Sequence, residues 1–316
     1  MKRVLIAADL DPVLLQLLRD DPRFETVHRP THSEQELAGT ISGFHVLVTR
    51  YHNRVTRAVL ERADGLDVII QGTSGLDNID HPAAAERGIA IIGIPGENAN
   101  AVAELVLGHM ISLTRTVPFY DRSMRKGAWI RDDCATRREL RSFQLGIVGI
   151  GRVGSRVAAI AGNLGMKPLS FDPYLSRDEI ARRGAKKVET LDELLAKSEI
   201  LTFHVPLTEE TDGMLGAGEI ERLPVGAAVI NSSRGEVVDL AALLDALERG
   251  HLGGAALDVF DPEPPSRSWP DDPRLILTPH IAGCTREAKL AIGKMVYRRL
   301  CEYYALAPAG DADSAG

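Results

Sequence analysis

The stretch Leu145-Gly146-Ile147-Val148-Gly149-Ile150-Gly151-Arg152-Val153-Gly154 runs from an apolar strand through spaced glycines into the helical pattern Val153 to Leu164. A lone G-x-G-x-x-G is a weak signal in a chain with 29 glycines, but its place between strand and helix gives each glycine a task. Gly149 permits the tight turn, Gly151 lets a pyrophosphate approach the backbone, and Gly154 lets helix and strand pack closely. The helix N-terminus adds unpaired N–H groups and a partial positive charge suited to a diphosphate. Eighteen residues beyond Gly154, the strand Leu169-Ser170-Phe171 ends in Asp172. A carboxylate there accepts the hydroxyls of an adenosine ribose and repels a 2′-phosphate. The next base downstream is Arg177, five residues away, so the charge pattern favours NAD over NADP.

Around this segment, short apolar runs alternate with helical patterns. Strands are expected at Leu145 to Gly149, Pro168 to Asp172, Ile200 to His204, Ala227 to Ile230, Gly254 to Leu257 and Leu275 to Leu277. Helices are expected at Val153 to Leu164, Leu191 to Lys197, Ala217 to Leu223 and Leu240 to Arg249. Six strands with intervening helices fit a full dinucleotide-binding sheet. A long helix capped by Asn98 or Asn100 precedes them, with Val102, Leu105, Val106, His109, Met110 and Leu113 on its apolar face.

The first ninety residues repeat the alternation on a smaller scale. Val4 to Ala8, Val46 to Thr49, Val68 to Ile70 and Ile89 to Ile92 read as strands covered on both faces, as in parallel sheets. Helical stretches Val13 to Leu18, Val55 to Ala63 and His81 to Arg87 separate them. The fold class is therefore α/β with two doubly wound parallel-sheet domains, the first flavodoxin-like and the second Rossmann-like. A last helix, Thr285 to about Tyr304, precedes a polar tail, residues 307–316, expected to be flexible.

Composition excludes several classes. The 37 basic and 44 acidic residues among 316 leave a formal charge of −7, which disfavours electrostatic nucleic-acid binding. Three dispersed cysteines (Cys134, Cys284, Cys301) make neither a disulfide framework nor a metal spacing. No apolar run reaches the ~18 residues of a spanning helix. The expectation is a cytoplasmic protein with no metal, no membrane and no nucleic-acid partner.

Three segments supply chemistry. Arg234, in Asn231-Ser232-Ser233-Arg234-Gly235, follows the apolar strand Ala227 to Ile230, where a guanidinium can grip a carboxylate bidentately. Glu263 lies in Asp261-Pro262-Glu263-Pro264-Pro265, a loop with little entropy to lose. His280, in Thr278-Pro279-His280-Ile281, ends a strand with an imidazole. Taken singly, these read equally as a surface salt bridge, a rigid acidic turn and a structural histidine.

Together, at spacings of 29 and 17 residues, Arg234, Glu263 and His280 resemble the signature of the D-isomer-specific 2-hydroxyacid dehydrogenases. This family includes phosphoglycerate dehydrogenase and glyoxylate/hydroxypyruvate reductase. Leu76-Asp77-Asn78-Ile79-Asp80, Ala103-Glu104-Leu105, His204-Val205-Pro206-Leu207-Thr208 and Ala255-Ala256-Leu257-Asp258-Val259-Phe260 look like further family motifs. The resemblance implies an NAD-dependent oxidoreductase moving a hydride to or from C2 of a D-2-hydroxy acid. His280 would exchange the proton of the C2 oxygen, Glu263 would hydrogen-bond it and keep the imidazolium available, and Arg234 would hold the carboxylate and polarise the carbonyl.

For the cofactor, the resemblance implies Gly149, Gly151, Arg152, Val153, Gly154 and Asp172 together with His204, Val205, Pro206 and Thr211. It adds Ser232, Ser233, Asp258 and Gly283, and Ser74 from the first domain. Ser74 and Gly75 would also meet the substrate carboxylate through their N–H groups. Arg50 matches an arginine that reaches the substrate phosphate in phosphoglycerate dehydrogenases. The domains implied are 1–98 plus 286–306 for substrate and 99–285 for NAD, with crossings near Pro95 to Asn100 and Gly283 to Glu287. The arm Pro118 to Ser142 resembles the family's dimerisation segment, implying a homodimer.

Departures mark the substrate side: Gln71 and Thr73 where Arg and Gly are usual, and a bulky Tyr51-His52-Asn53. His52 either meets an anionic substrate tail or faces solvent. Ending at residue 316, the chain is expected to lack a C-terminal regulatory domain. The substrate expected is of phosphoglycerate or hydroxypyruvate/glyoxylate type. The alternatives are a phosphonate-bearing hydroxy acid, or a corepressor-like protein that senses NAD and binds a partner.

Overall fold

The computed structural model describes residues 1–73, 75–131 and 137–307. Ser74, Cys134, part of the arm Pro118 to Ser142 and the tail beyond residue 307 lie outside the described residues. The chain splits into two compact units, Met1–Asn98 joined by the segment from Cys284, and Ala99–Gly283.

The first unit runs β1 (Lys2–Ile6), α1 (Pro12–Arg19), β2 (Phe24–His28), α2 (Glu34–Thr40), β3 (Val46–Thr49), α3 (Arg57–Leu60), β4 (Val68–Gln71), α4 (His81–Glu86) and β5 (Ala90–Gly93). Its parallel sheet has the order β2-β1-β3-β4-β5, the flavodoxin-like order, with the reversal between β1 and β3. Residues of β1, β3 and β4 such as Leu5, Leu47 and Ile70 are wholly buried because helices cover both faces. Proline in the first turn starts α1 and α4, and Asp11 and Asp80 cap them through Val13 N and Ala83 N.

Two of these elements escape an apolar-run reading. β2 is an edge strand with Glu25 exposed, and α2 buries only Leu37. α3 is shorter than the expected Val55 to Ala63, because Val55 is taken by a parallel bridge to Ile79.

The second unit contains α5 (Ala99–Thr114), α6 (Val117–Arg125), β6 (Leu145–Val148), α7 (Arg152–Asn163), β7 (Leu169–Phe171), α8 (Arg177–Arg182), β8 (Lys186–Lys187), α9 (Leu191–Leu195), β9 (Ile200–Phe203), α10 (Ala217–Ile220), β10 (Ala227–Asn231), α11 (Leu240–Glu248), β11 (Leu252–Leu257) and β12 (Leu275–Leu277). The all-parallel order β12-β11-β10-β9-β6-β7-β8 contains the Rossmann pattern, reversing between β6 and β9. Seven strands replace the six expected, because β8 is only two lysines long and carries no apolar signal. α5 starts at Ala99, so Asn100 lies inside its first turn. α6 and α8 were likewise too polar to read as helices from apolar spacing.

The last helix, α12 (Arg286–Tyr303), belongs to the first unit and packs on α1. Ile292, Val296 and Leu300 join Leu14, Leu18 and Ile70 in one core. Two polar links hold the returning segment: Tyr297 donates to buried Asp21 at 2.9 Å, and Tyr304 donates to Asp67 at 2.7 Å. A hydrogen bond to a charged group contributes roughly 1.5–3 kcal/mol, so these links are material beside the apolar contacts. No helix among the described residues is long and apolar enough to cross a membrane.

Candidate active site and cofactor site

In an open parallel sheet, ligands meet the carboxyl ends of the strands, beside the reversal of strand order. In the second unit that point lies after β6 and β9, where the glycine turn meets the His204-Val205 segment. Gly149 has φ +79°, and its N–H donates to Phe171 O at 2.9 Å. A Cβ there would come within 2.7 Å of the His204 carbonyl oxygen. A Cβ on Gly154 would collide with the Gly149 carbonyl, so α7 packs on the turn only with glycine at this position. Gly151 differs: a Cβ would find nothing within 4 Å. The backbone there faces open space at the N-terminus of α7, where Arg152 and Val153 form the first turn, an arrangement able to take an anion.

Asp172 accepts from Ile150 N and Tyr174 N, both at 3.1 Å. The carboxylate is thereby held at the end of β7, facing the glycine turn. Burial pushes the His204 imidazole down to about 3, so the ring is neutral at any working pH; its Nε2 lies 3.2 Å from Thr202 Oγ1. Thr211 donates to Pro206 O at 2.6 Å and accepts from Thr208 N, so its hydroxyl shapes the 206–211 turn. Ser233 is also spent internally, its N and Oγ both donating to Asn231 Oδ1. Ser232 Oγ, by contrast, is buried without a hydrogen-bond partner among the described residues. An orphaned hydroxyl beside a glycine cradle fits a dinucleotide.

Arg234, Glu263 and His280 follow the adjacent strands β10, β11 and β12 at the same edge. His280 Nδ1 and Glu263 Oε2 are 2.7 Å apart, and Glu263 Oε1 accepts from Phe260 N at 3.0 Å. Their side chains are only 26% and 27% exposed, dry enough for the pair to matter. Burial opposes ionisation of Glu263, but the His280 hydrogen bond, its charge, the Phe260 N–H and the Arg234 charge together hold its pKa below the ordinary value. The pair's contribution to stability is therefore present above the ordinary Glu value and is lost as pH falls through the lower folded-state value. The Arg234 charge acting on Glu263 brings the third residue into the same cluster. Its guanidinium is steadied by donating from Nη1 to Ser233 O at 2.7 Å, and its carbonyl accepts from Asn231 Nδ2 at 2.7 Å.

Asp258 is fully buried and accepts from Thr278 Oγ1, Ile281 N and Ala282 N. His280 itself sits at φ 51° with its N–H donating to Asp258 O at 2.8 Å. Asp258 thus builds the turn that presents the imidazole and leads to Gly283. Sequence reading also missed Gly235, where a Cβ would lie 2.6 Å from Asp261 N, so only glycine lets the Arg234 loop touch the Glu263 loop.

In the first unit, Arg50 follows β3 and is 9% exposed, while Gly75 O accepts from Gln71 Nε2 and Thr73 Oγ1. Gln71 is wholly buried and donates to Asn78 Oδ1 at 2.7 Å. Asn78 in turn donates to the carbonyls of Arg50 and Asn53. Gln71, Asn78 and Asn53 position the loop after β3, a task invisible in residue types alone.

Residues 107–282 match the family model described as D-isomer specific 2-hydroxyacid dehydrogenase, NAD binding domain. The chain is 37% identical over 299 residues to the D-3-phosphoglycerate dehydrogenase of Archaeoglobus fulgidus, covering 93% of this chain and 56% of that one. D-3-phosphoglycerate dehydrogenase 2 of Saccharomyces cerevisiae is 35% identical, with 95% and 66% covered. The chain thus spans about half to two thirds of the length of these curated relatives. A D-lactate dehydrogenase from Aquifex aeolicus, solved with NAD and lactic acid, superposes with a TM-score of 0.83 at 26% identity, covering 96% of each chain. The second unit is an NAD-binding domain. With a family model spanning more than half its length, relatives above one third identity and the Arg234, Glu263 and His280 cluster at one sheet edge, the chain belongs to the D-isomer specific 2-hydroxyacid dehydrogenase family.

Proposed function

We propose that the protein is an NAD-dependent dehydrogenase interconverting a D-2-hydroxy acid and its 2-oxo acid, with a substrate of phosphoglycerate or hydroxypyruvate/glyoxylate type. The observation that carries this reading is the 2.7 Å contact between Glu263 and His280 beside the Arg234 charge. NAD, when bound, accepts or supplies the hydride at C2. In reduction, the His280 imidazolium gives its proton to the C2 oxygen as C2 gains the hydride, and oxidation runs the same exchange backwards. Glu263, ionised and anchored by Phe260 N, fixes the ring so that Nε2 is the proton-exchanging atom. The Arg234 guanidinium binds the carboxylate and polarises the carbonyl. Asp258 positions His280 through the turn it ties. Ser232, Gly151 and Asp172 bind the cofactor, with Gly283, Val205 and Pro206 beside them. Arg50, Ser74 and Gly75 enter the reading as substrate residues through the family resemblance.

The deciding experiment is a turnover panel over glyoxylate, hydroxypyruvate, 3-phosphohydroxypyruvate and phosphonate analogues, each with NADH and NADPH, on wild type and Asp172→Ala. Turnover of at least one oxo acid with NADH preferred, and a weaker preference in the variant, is the expected result. No turnover anywhere on the panel would defeat the dehydrogenase reading. An unchanged NADH/NADPH ratio would remove Asp172 from the ribose site.

The homodimer is part of the same proposal. Ile111, Val117, Met124, Trp129 and Ile130 are large apolar side chains left exposed along α5, α6 and the following segment. Covering them with a second copy would remove a hydrophobic liability from water. Sedimentation equilibrium should give twice 34.3 kDa for wild type and a shift toward monomer for Trp129→Glu. A monomeric wild type at micromolar concentration would refute it.

A further inference from the structure

We propose that Trp269 is a positioning residue for the reaction, holding Glu263 against His280 by closing the neck of the loop that carries Glu263. This loop leaves the end of β11 after Phe260 and returns toward β12 at Trp269. No backbone hydrogen bond among the described residues involves residues 261–270. Its path is therefore fixed by four prolines and by side-chain contacts.

Two of those contacts lie at the neck. The Phe260 ring, buried in the core with Val237 and Leu257, meets the Trp269 indole with ring centres 5.3 Å apart. The Arg267 guanidinium lies over the indole, its carbon 5.1 Å from the ring centre. Joining the ends of a loop removes much of the freedom of its middle, and Glu263 sits between the joined ends.

Both site loops converge on the residue that Trp269 grips. Phe260 N donates to Glu263 Oε1 at 3.0 Å, while Glu263 Oε2 lies 2.7 Å from His280 Nδ1. A Cβ on Gly235 would collide with the Phe260 carbonyl, so the Arg234 loop rests on the same peptide. A cavity of about 330 Å³, lined in part by Gly235, Phe260, Asp261 and Arg267, adjoins this junction. The peptide has room to shift once the indole no longer holds the ring. Glu263 would then lose the Phe260 N–H, one of the groups that favour its ionised form against burial. The effect of Trp269 on rate rests on the dehydrogenase reading, whereas its coupling to the Phe260 amide does not.

Hydrogen exchange of the Phe260 amide, followed by NMR on the full chain, should be about tenfold faster in Trp269→Ala than in wild type. Trp269→Phe, which keeps a ring at the neck, should restore protection. With the oxo acid that is turned over best, kcat of Trp269→Ala should fall about tenfold, and the KM for NADH should stay within about twofold. The acid limb of its kcat/KM profile should move to higher pH, because Glu263 is protonated sooner as pH falls. Adding Trp269→Ala to Glu263→Gln should cost nothing further, since the indole acts through that carboxylate. Unaltered Phe260 protection in Trp269→Ala would overturn the proposal, and so would losses that multiply in the double variant. A lower melting temperature with the acid limb unmoved would reduce Trp269 to a structural role and overturn it too. A wild type that turns over nothing, with the Phe260 amide still answering to Trp269, would defeat the dehydrogenase reading while supporting the loop coupling.

Discussion

His280→Gln should lower turnover by about 10²–10⁴-fold while leaving NADH binding, read by fluorescence, within a factor of about two of wild type. Glutamine keeps the approximate size of the ring and can still meet Glu263, so the presenting turn survives. It cannot shuttle a proton at neutral pH, and the C2 oxygen must then be protonated by water. Glu263→Gln should fall between the two enzymes, because the amide preserves contact but removes the charge anchored by Phe260 N. The comparison separates chemistry from folding: circular dichroism and melting temperature should barely move in His280→Gln. Full activity in that variant would overturn the acid/base assignment, whatever the fate of Glu263.

Gly154→Ala and Gly151→Ala should fail in different ways. At position 154 the new methyl meets the Gly149 carbonyl, and relief requires α7 to move off the turn. Overpacking of this kind costs about 1–3 kcal/mol of stability. Moving the helix N-terminus off the turn is expected to weaken NADH binding, because the diphosphate loses the N–H groups and partial charge that would hold it. At position 151 the methyl meets no protein atom within 4 Å, so the melting temperature should stay near wild type. NADH affinity should nevertheless fall, because the methyl fills the approach to the backbone. Thermal melts and NADH titrations of the two variants check both halves. Equal loss of stability, or normal NADH binding in Gly151→Ala, would contradict the cradle.

Much of this could be read in one dimension because the signals are local. A strand covered on both faces must be apolar throughout, which is why β3, β4, β6, β9 and β12 stand out within a residue or so of their ends. Glycine spacing announces a turn because positive φ and close approach are properties of single residues. The elements that escaped, β2, β8, α2, α6 and α8, lie at sheet edges or on exposed faces. There, little apolar surface is buried, and hydrogen bonding carries the conformation.

Residue types and their order were enough to mark two doubly wound sheets and an NAD-binding domain, and to single out Arg234, Glu263 and His280 as candidates. Only folding decided how the side chains divide their work. Asp258 and Thr211, cofactor residues by the family resemblance, also tie turns through their oxygens, while Ser232 Oγ has no hydrogen-bond partner among the described residues. Gln71 and Asn53 look like substrate-side oddities and, with Asn78 of a family-like motif, brace the loop carrying Arg50. The reason is physical: a hydrogen bond needs two partners within about 3 Å. Pairs such as Asp258 with Ala282 are brought together by strand order, which no local pattern encodes.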